Sequence, residues 1–227
     1  MEFITEIFDF FLPRFCPSCR IKLIPQDRFI CSACLSRIKK ANKDRLQLEF
    51  KRKFKDKKII LGFSSLYVFE KDKELQHIIH SLKYKGRFLI GTFLGEELGK
   101  KIKNEIQAWN VNMLLPVPLH QLKNAERGYN QSLYIAKGLS KLLKIPLGVR
   151  IFKRKRYTQS QTSMNFIERQ ENIKEAFNIK SDKKIKGKNI LLVDDVITTG
   201  ATISECGKVL LNGGANRIYA ASIAIAD

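Results

Sequence analysis

No apolar run in this chain approaches the roughly 20 residues that a bilayer-spanning helix needs. Internal repeats and low-complexity tracts are absent too, so nothing suggests a solenoid or a biased tail. Acidic residues are scarce: 22 Asp and Glu stand against 42 Lys and Arg in 227 residues, a formal net charge of +20. That imbalance favours polyanionic partners, whether nucleic acid, phosphorylated metabolites or an anionic membrane surface. The plainer alternative is a dispersed, solubilising lysine surface. The opening residues, MEFITEIFDFFLP, are too short and too acidic for a signal peptide. They are amphipathic, with Phe3, Ile7, Phe10 and Phe11 on one side, and docking onto the rest of the protein is their expected role. Glu2, Glu6 and Asp9 argue against a membrane anchor. A cytoplasmic location is the expectation. With 44% hydrophobic and 28% charged residues, the chain can bury one sizeable core plus a small appendage, and global disorder is excluded.

Four of the five cysteines fall in one short window, as CPSC and CSAC. Cys16, Cys19, Cys31 and Cys34 thus form two C-x2-C knuckles, the arrangement that presents four sulfurs to one tetrahedral zinc ion. The segment between the knuckles suits a small hairpin turning at Pro25 to Arg28. Two disulfides or an iron–sulfur cluster are the alternatives; a reducing compartment argues against the first. With four sulfurs and no open position, the zinc is structural, folding a segment too short to build its own core. Cys206 reads as a small buried residue.

Residues 39–58 are strongly basic and contain neither Gly nor Pro. They read as a linker or exposed helix, the plainest polyanion contact in the chain, with Phe50 and Phe54 directed to a core rather than to stacked bases. Beyond them strands alternate with helices. Strands are expected at Phe63 to Phe69, Val111 to Val117, Leu147 to Phe152, Ile190 to Val193 and Ile218 to Ile225. Helices are expected at Leu75 to Leu82, Phe88 to Ile102, Ala125 to Leu143 and Phe166 to Ala176. The alternation predicts an α/β fold with a doubly wound, mostly parallel sheet, whose ligands bind at the carboxyl ends of its strands. The division is residues 1–58 for the N-terminal helix, four-cysteine module and basic linker, and 59–227 for the α/β domain.

The richest segment is NILLVDDVITTGATIS, Asn189 to Ser204. A buried strand leads to an acidic turn at Asp194 and Asp195, then to a loop of small and hydroxyl-bearing residues, then to a helix. Gly200 allows close backbone approach to a ligand, and backbone N–H groups at the helix start form an anion site. Thr198, Thr199 and Thr202 add hydroxyl donors. A ligand that suits both parts carries a phosphate at one end and hydroxyls or a metal about one sugar away, as a 5-phosphoribosyl group does. An ordinary strand-to-helix turn with acidic caps is the bland alternative. A second loop, Pro116 to Ser132, follows a strand and opens a helix, with Lys123, Arg127 and Gly128 in it. A third, Lys153 to Asn172, starts basic and continues polar. Arg154, Lys155, Arg156 and Gln161 lie in it, and its composition suits a mobile lid, with a plain surface loop as the alternative.

The segment Asn189 to Ser204 resembles the PRPP-binding motif of type I phosphoribosyltransferases. With CPSC and CSAC, LKYKGR at Leu82 to Arg87, PVPL, RGYNQ and VDDVITTGAT in this order, nearly the whole chain resembles the ComF family. That resemblance implies a phosphoribosyltransferase-like protein tied to natural competence and the handling of incoming single-stranded DNA. It implies that Val196 and Thr198 to Thr202, with Gly200 and Ala201 among them, bind the 5′-phosphate of PRPP. Leu119, His120, Arg127 and Gly128 then bind pyrophosphate. Asp194 and Asp195 hold the ribose hydroxyls, directly or through water on Mg²⁺. No base-recognition hood is recognisable, and Lys83, Tyr84 and Arg87 are candidates to face the cleft. Three readings stay open: a transferase with an unknown acceptor, a PRPP-binding regulator without catalysis, and a single-stranded-DNA-binding competence factor working with a DNA-uptake helicase or recombination protein.

Overall fold

The computed structural model describes residues 13–155 and 176–226. Its strands are β1 (Phe63–Val68), β2 (Met113–Pro116), β3 (Phe152–Arg154), β4 (Phe177–Ile179), β5 (Asn189–Ile197) and β6 (Arg217–Ile225). Four of them form one sheet in the order β1-β6-β5-β2, every neighbour parallel. The other two, β3 and β4, make a small antiparallel pair. Strands of a parallel sheet are covered on both faces and therefore read as near-continuous apolar runs, as β5 and β6 do. Alternate residues go to opposite layers. Leu191, Val193, Tyr219 and Ala221 enter one core, while Ile190, Leu192, Ile218 and Ala220 enter the other.

The helices are α1 (Ser32–Arg37), α2 (Lys43–Lys53), α3 (Glu74–Tyr84), α4 (Phe88–Ala108), α5 (Gln121–Arg127), α6 (Gln131–Leu143) and α7 (Ala201–Asn212). Residues of α3, α4 and α6 fill the first core, and residues of α7 fill the second, so the sheet is doubly wound. Helices α4 and α6 cross with their backbones nearly touching. A methyl on Gly138 would lie 2.0 Å from the carbonyl oxygen of Thr92. That close crossing fixes the start of α6, which carries a residue of the cleft described below.

The four-cysteine segment sits on the first layer. Cys16, Leu23, Ile30 and Cys34 share a core with Leu82, Ile90 and Leu94. Glu96 of α4 ties the pieces together, accepting from Arg28 at 2.7 Å and from Lys141 of α6 at 3.0 Å. Hydrogen bonding to Arg28 above all holds the Glu96 carboxyl below its ordinary range. Arg87 donates to the carbonyl of Phe15 at 3.0 Å.

Several expectations need correction. Ala125 to Leu143 is two helices, because Gly128 takes φ +77° and ends α5, and Asn130 caps α6 through the N–H of Ser132. Leu147 to Phe152 makes only a bridge from Leu147 to Leu114 before β3, since Arg150 adopts φ +67° and interrupts extension. The acid pair is not in a turn: β5 continues through both carboxylates to Ile197. Residues 39–58, expected as a linker or exposed helix, contain the largely exposed helix α2 over Lys43–Lys53, and Phe54 after it is 1% exposed in the second core. The antiparallel bridge of the cysteine segment, Phe15 to Lys22, flanks the first knuckle. The helix expected at Phe166 to Ala176 lies largely outside the described residues, as do Arg156, Gln161 and the first twelve positions.

Candidate functional site

A cleft of about 570 Å³ opens over the carboxyl ends of β2 and β5. Such ends are where open α/β sheets bind ligands. Asp194 and Asp195 form one wall, and Val196, Thr198, Thr199, Gly200, Ala201 and Thr202 form the next. Leu119, Lys123, Arg127, Lys83, Tyr84 and Arg154 come from the facing elements.

The loop geometry follows from one residue. Gly200 has φ +74° and stands at the N-terminus of α7. Its left-handed backbone turns the first-turn N–H groups of α7, which have no partner within the helix, toward the cleft. Behind it lies Phe54, whose ring would be 2.7 Å from a methyl at this position. The backbone is thus pressed between the aromatic ring and the ligand space.

The two carboxylates have different surroundings. Oδ1 of Asp194 accepts from Ser132 Oγ and from the backbone N–H of Asp195, both at 2.9 Å. Burial, reinforced by the charge of Asp195, still pushes the Asp194 carboxyl up to about 7. Asp195 accepts from the N–H of Val196 at 2.7 Å through Oδ1, while Oδ2 pairs with Lys83 Nζ at 2.8 Å. The opposite wall is cationic. Burial, followed by the charges of Arg154 and Arg127, lowers the Lys123 ammonium below its ordinary range. The Arg127 guanidinium lies 5.2 Å from the centre of the Tyr84 ring and donates to Gln131 at 3.1 Å. Its Nε is buried without a hydrogen-bond partner. The cleft therefore presents carboxylates, then an amide-rich loop, then four cations, Lys83, Lys123, Arg127 and Arg154. It complements a polyol with phosphate at both ends.

Of the anticipated residues, Leu119 and Arg127 line this cleft. His120 instead caps α5, accepting from the N–H of Leu122 at 3.2 Å, and Gly128 terminates that helix. Arg154 lines the cleft, whereas Lys155 is exposed beside it, its N–H bonded to the carbonyl of Ala176 at 2.7 Å. Lys83 and Tyr84 face the cleft, and Arg87 turns away to the cysteine segment. Ser132, which orients Asp194, has no expected role, while Phe54, expected in a core, lies in one and backs Gly200. The only sequence signal for Ser132 is its place directly after RGYNQ.

The sulfurs of Cys16, Cys19, Cys31 and Cys34 all lie within 4.8 Å of one another. Cys19 and Cys31 are 3.6 Å apart, Sγ to Sγ. A tetrahedron of sulfurs about 2.3 Å from one zinc ion has edges of about 3.8 Å. The spacing fits a single ion and is far longer than a disulfide bond of about 2 Å.

This fold and cleft define a type I phosphoribosyltransferase-like protein with an added four-cysteine module. Residues 130–226 match the family model described as "Phosphoribosyl transferase domain". Over 167 residues the chain is 31% identical to "Competence protein F" of Haemophilus influenzae, covering 72% of this chain and 70% of that one. It is 30% identical to "Competence protein ComFC" of Streptococcus pneumoniae, covering 87% and 88%. "DNA utilization protein YhgH" of Escherichia coli K12 is 31% identical, covering 62% and 63%. Among solved structures, a purine phosphoribosyltransferase from Pyrococcus horikoshii aligns at 20% identity with a TM-score of 0.39, covering 59% and 73%. The chain belongs to the ComF family.

No helix among the described residues is long and apolar enough to cross a membrane.

Proposed function

We propose that the chain binds PRPP and transfers its 5-phosphoribosyl group to an acceptor, within a competence-associated role. The observation that carries this reading is the convergence, in one cleft, of the acid pair, the Gly200 loop and Arg127. The loop from Thr198 to Thr202 takes the 5′-phosphate on backbone N–H groups and threonine hydroxyls. Asp194 and Asp195 accept from the ribose hydroxyls. Arg127, Lys123 and Arg154 face the diphosphate. In the reaction the acceptor attacks C1′, the bond from C1′ to the diphosphate oxygen breaks, and pyrophosphate departs with the electron pair. The cations neutralise the charge that develops there, and the carboxylates stabilise the positive ring carbon. Mg²⁺, a hard ion suited to oxygen ligands, supplies further neutralisation when bound with PRPP.

Calorimetric titration of PRPP with Mg²⁺ tests the reading. Asp195→Asn is expected to weaken binding by about tenfold or more, since a charged acceptor is worth about 1.5–3 kcal/mol. Unchanged affinity in that variant would remove Asp195 from the site. An acceptor is then sought by pyrophosphate release. Binding without release from any acceptor points to a PRPP-responsive regulator.

The ion at the four cysteines is zinc in this reading, with a purely structural role. Elemental analysis should give one zinc per chain. Cys34→Ser is expected to lower the melting temperature by several degrees at least, because a structural zinc site contributes on the order of 10 kcal/mol to its segment. Here that segment covers Leu82 and Leu94 of the α/β core. Iron in place of zinc, or an unchanged melting curve, counts against this assignment.

Single-stranded DNA is the second reading. Lys43, Lys51, Arg52 and Lys55 are exposed on and just after α2, and the printed names of relatives refer to competence and DNA utilization. Its signature is affinity that falls steeply with salt. Any DNA-uptake helicase or recombination partner belongs to this same reading.

A further inference from the structure

The Lys83 ammonium reaches the acid pair from the cleft's cationic side. It stands at the last turn of α3 and lies 2.8 Å from Asp195 Oδ2. Its side chain is 23% exposed and that of Asp195 is 12% exposed, so the pair is screened only in part. Lys123, Arg127 and Arg154 line the same cleft. The other three nearby donors, the N–H groups of Asp195 and Val196 and the Ser132 hydroxyl, use the Oδ1 atoms. Oδ2 of Asp195 is therefore held by Lys83, and a ligand or metal ion that needs this oxygen must first displace the ammonium.

We infer that Lys83 is a resident counter-cation, which competes with divalent metal ions for Asp195 and moves onto the ligand when PRPP binds. This rests on the reading above and adds a device to it. Two adjacent carboxylates in a half-buried cleft would attract a free divalent ion. With the ammonium in place the metal gains little by arriving alone. Arriving with PRPP changes the balance, because the diphosphate offers Lys83 a new partner of higher charge. The lysine stem is long and flexible, as such an exchange requires. Lys83 is thus assigned a positioning and selectivity role, keeping the acids open to the metal–substrate complex and closed to the bare metal.

The test uses Mn²⁺ alone as the probe, with free Mn²⁺ followed by electron paramagnetic resonance. Full-length wild type, Lys83→Met, Lys83→Arg and the double variant Lys83→Met with Asp195→Asn are compared. Lys83→Met should bind Mn²⁺ at least about tenfold more tightly than wild type, since a unit charge in contact with the ligand oxygen has been removed. Lys83→Arg should stay as weak as wild type, and the double variant should lose the gain. Mn²⁺ affinity within twofold of wild type in a Lys83→Met protein with an unchanged melting temperature overturns the inference. So does a gain that survives in the double variant. PRPP titration is run separately. A wild type that binds no PRPP, with the Mn²⁺ gain present, refutes the transferase reading and leaves the competition standing. PRPP binding without the Mn²⁺ gain does the reverse.

Discussion

Gly200→Ala is expected to reduce PRPP affinity by about a hundredfold or more while leaving a folded protein. Two independent costs meet at this position. The backbone holds φ +74°, where a side chain costs roughly 1–2 kcal/mol. A methyl there would also stand 2.7 Å from the Phe54 ring and 3.2 Å from Lys53 Cβ. Neither neighbour yields easily. Phe54 is fully buried and packs against Phe63 at a centroid distance of 5.6 Å. Lys53 is held by Glu49 at 3.0 Å and by the carbonyl of Ala226 at 3.0 Å. The loop must therefore rise toward the ligand or unwind the first turn of α7. Either change misaligns the N–H groups that face the phosphate, and losing two charge-assisted hydrogen bonds at about 1.5–3 kcal/mol each accounts for the expected factor. Calorimetry measures it. Adding Phe54→Leu to the alanine variant separates the causes: partial recovery assigns the loss to the ring, and no recovery assigns it to the backbone angle. Wild-type affinity in the single variant would mean that the loop does not carry the phosphate.

This outcome depends on a residue, Phe54, that no motif announces, and that marks the limit of what the sequence makes legible. The acid pair, the threonines and Gly200 are contiguous, so their chemistry is readable from spacing alone. The same holds for the cysteines, whose knuckles are local. The apolar runs of β5 and β6 carry the parallel sheet directly, because strands buried on both faces need apolar residues at nearly every position. What supports the site comes from a distance. Ser132 reaches Asp194 across 62 residues of chain. Lys83 is readable as a candidate for the cleft, but its pairing with Asp195 is not, and a core position for Phe54 does not reveal that its ring backs Gly200. The break in the helix after Arg127 was available in Gly128 and Asn130, a terminating glycine followed by a capping asparagine, but the apolar periodicity on either side masks it. His120 adds a further case: its place in the loop from Leu119 to Gly128 carries no sign that its ring nitrogen caps α5.

The acid pair yields the other large effect, and it runs in opposite directions for stability and for binding. Burial and the adjacent Asp195 raise Asp194 from its ordinary 3.8 to about 7. For an acid raised on folding, the native state holds a proton that the unfolded chain has released. The group's contribution is thus fully present below about pH 4 and is lost as pH rises toward 7, at no more than about 1.4 kcal/mol per pH unit. At pH 8 the wild type bears the whole cost of an ionised, crowded Asp194. Asp194→Asn removes that charge and keeps an oxygen to accept from Ser132 and from the N–H of Asp195. The variant is expected to melt several degrees above wild type at pH 8, with the advantage shrinking toward zero near pH 4. Thermal melts from pH 4 to 8 measure it. PRPP binding should respond in the other sense. The ribose hydroxyls and the accompanying Mg²⁺ favour the ionised carboxylate, so wild-type affinity should rise as pH increases from 6 to 8, and Asp194→Asn should be weak and lack that rise. A variant that is less stable than wild type at pH 8 would show that Asp194 is paid for by its hydrogen bonds alone. A more stable variant that no longer binds would show that the pair is held against its own repulsion for the sake of the ligand.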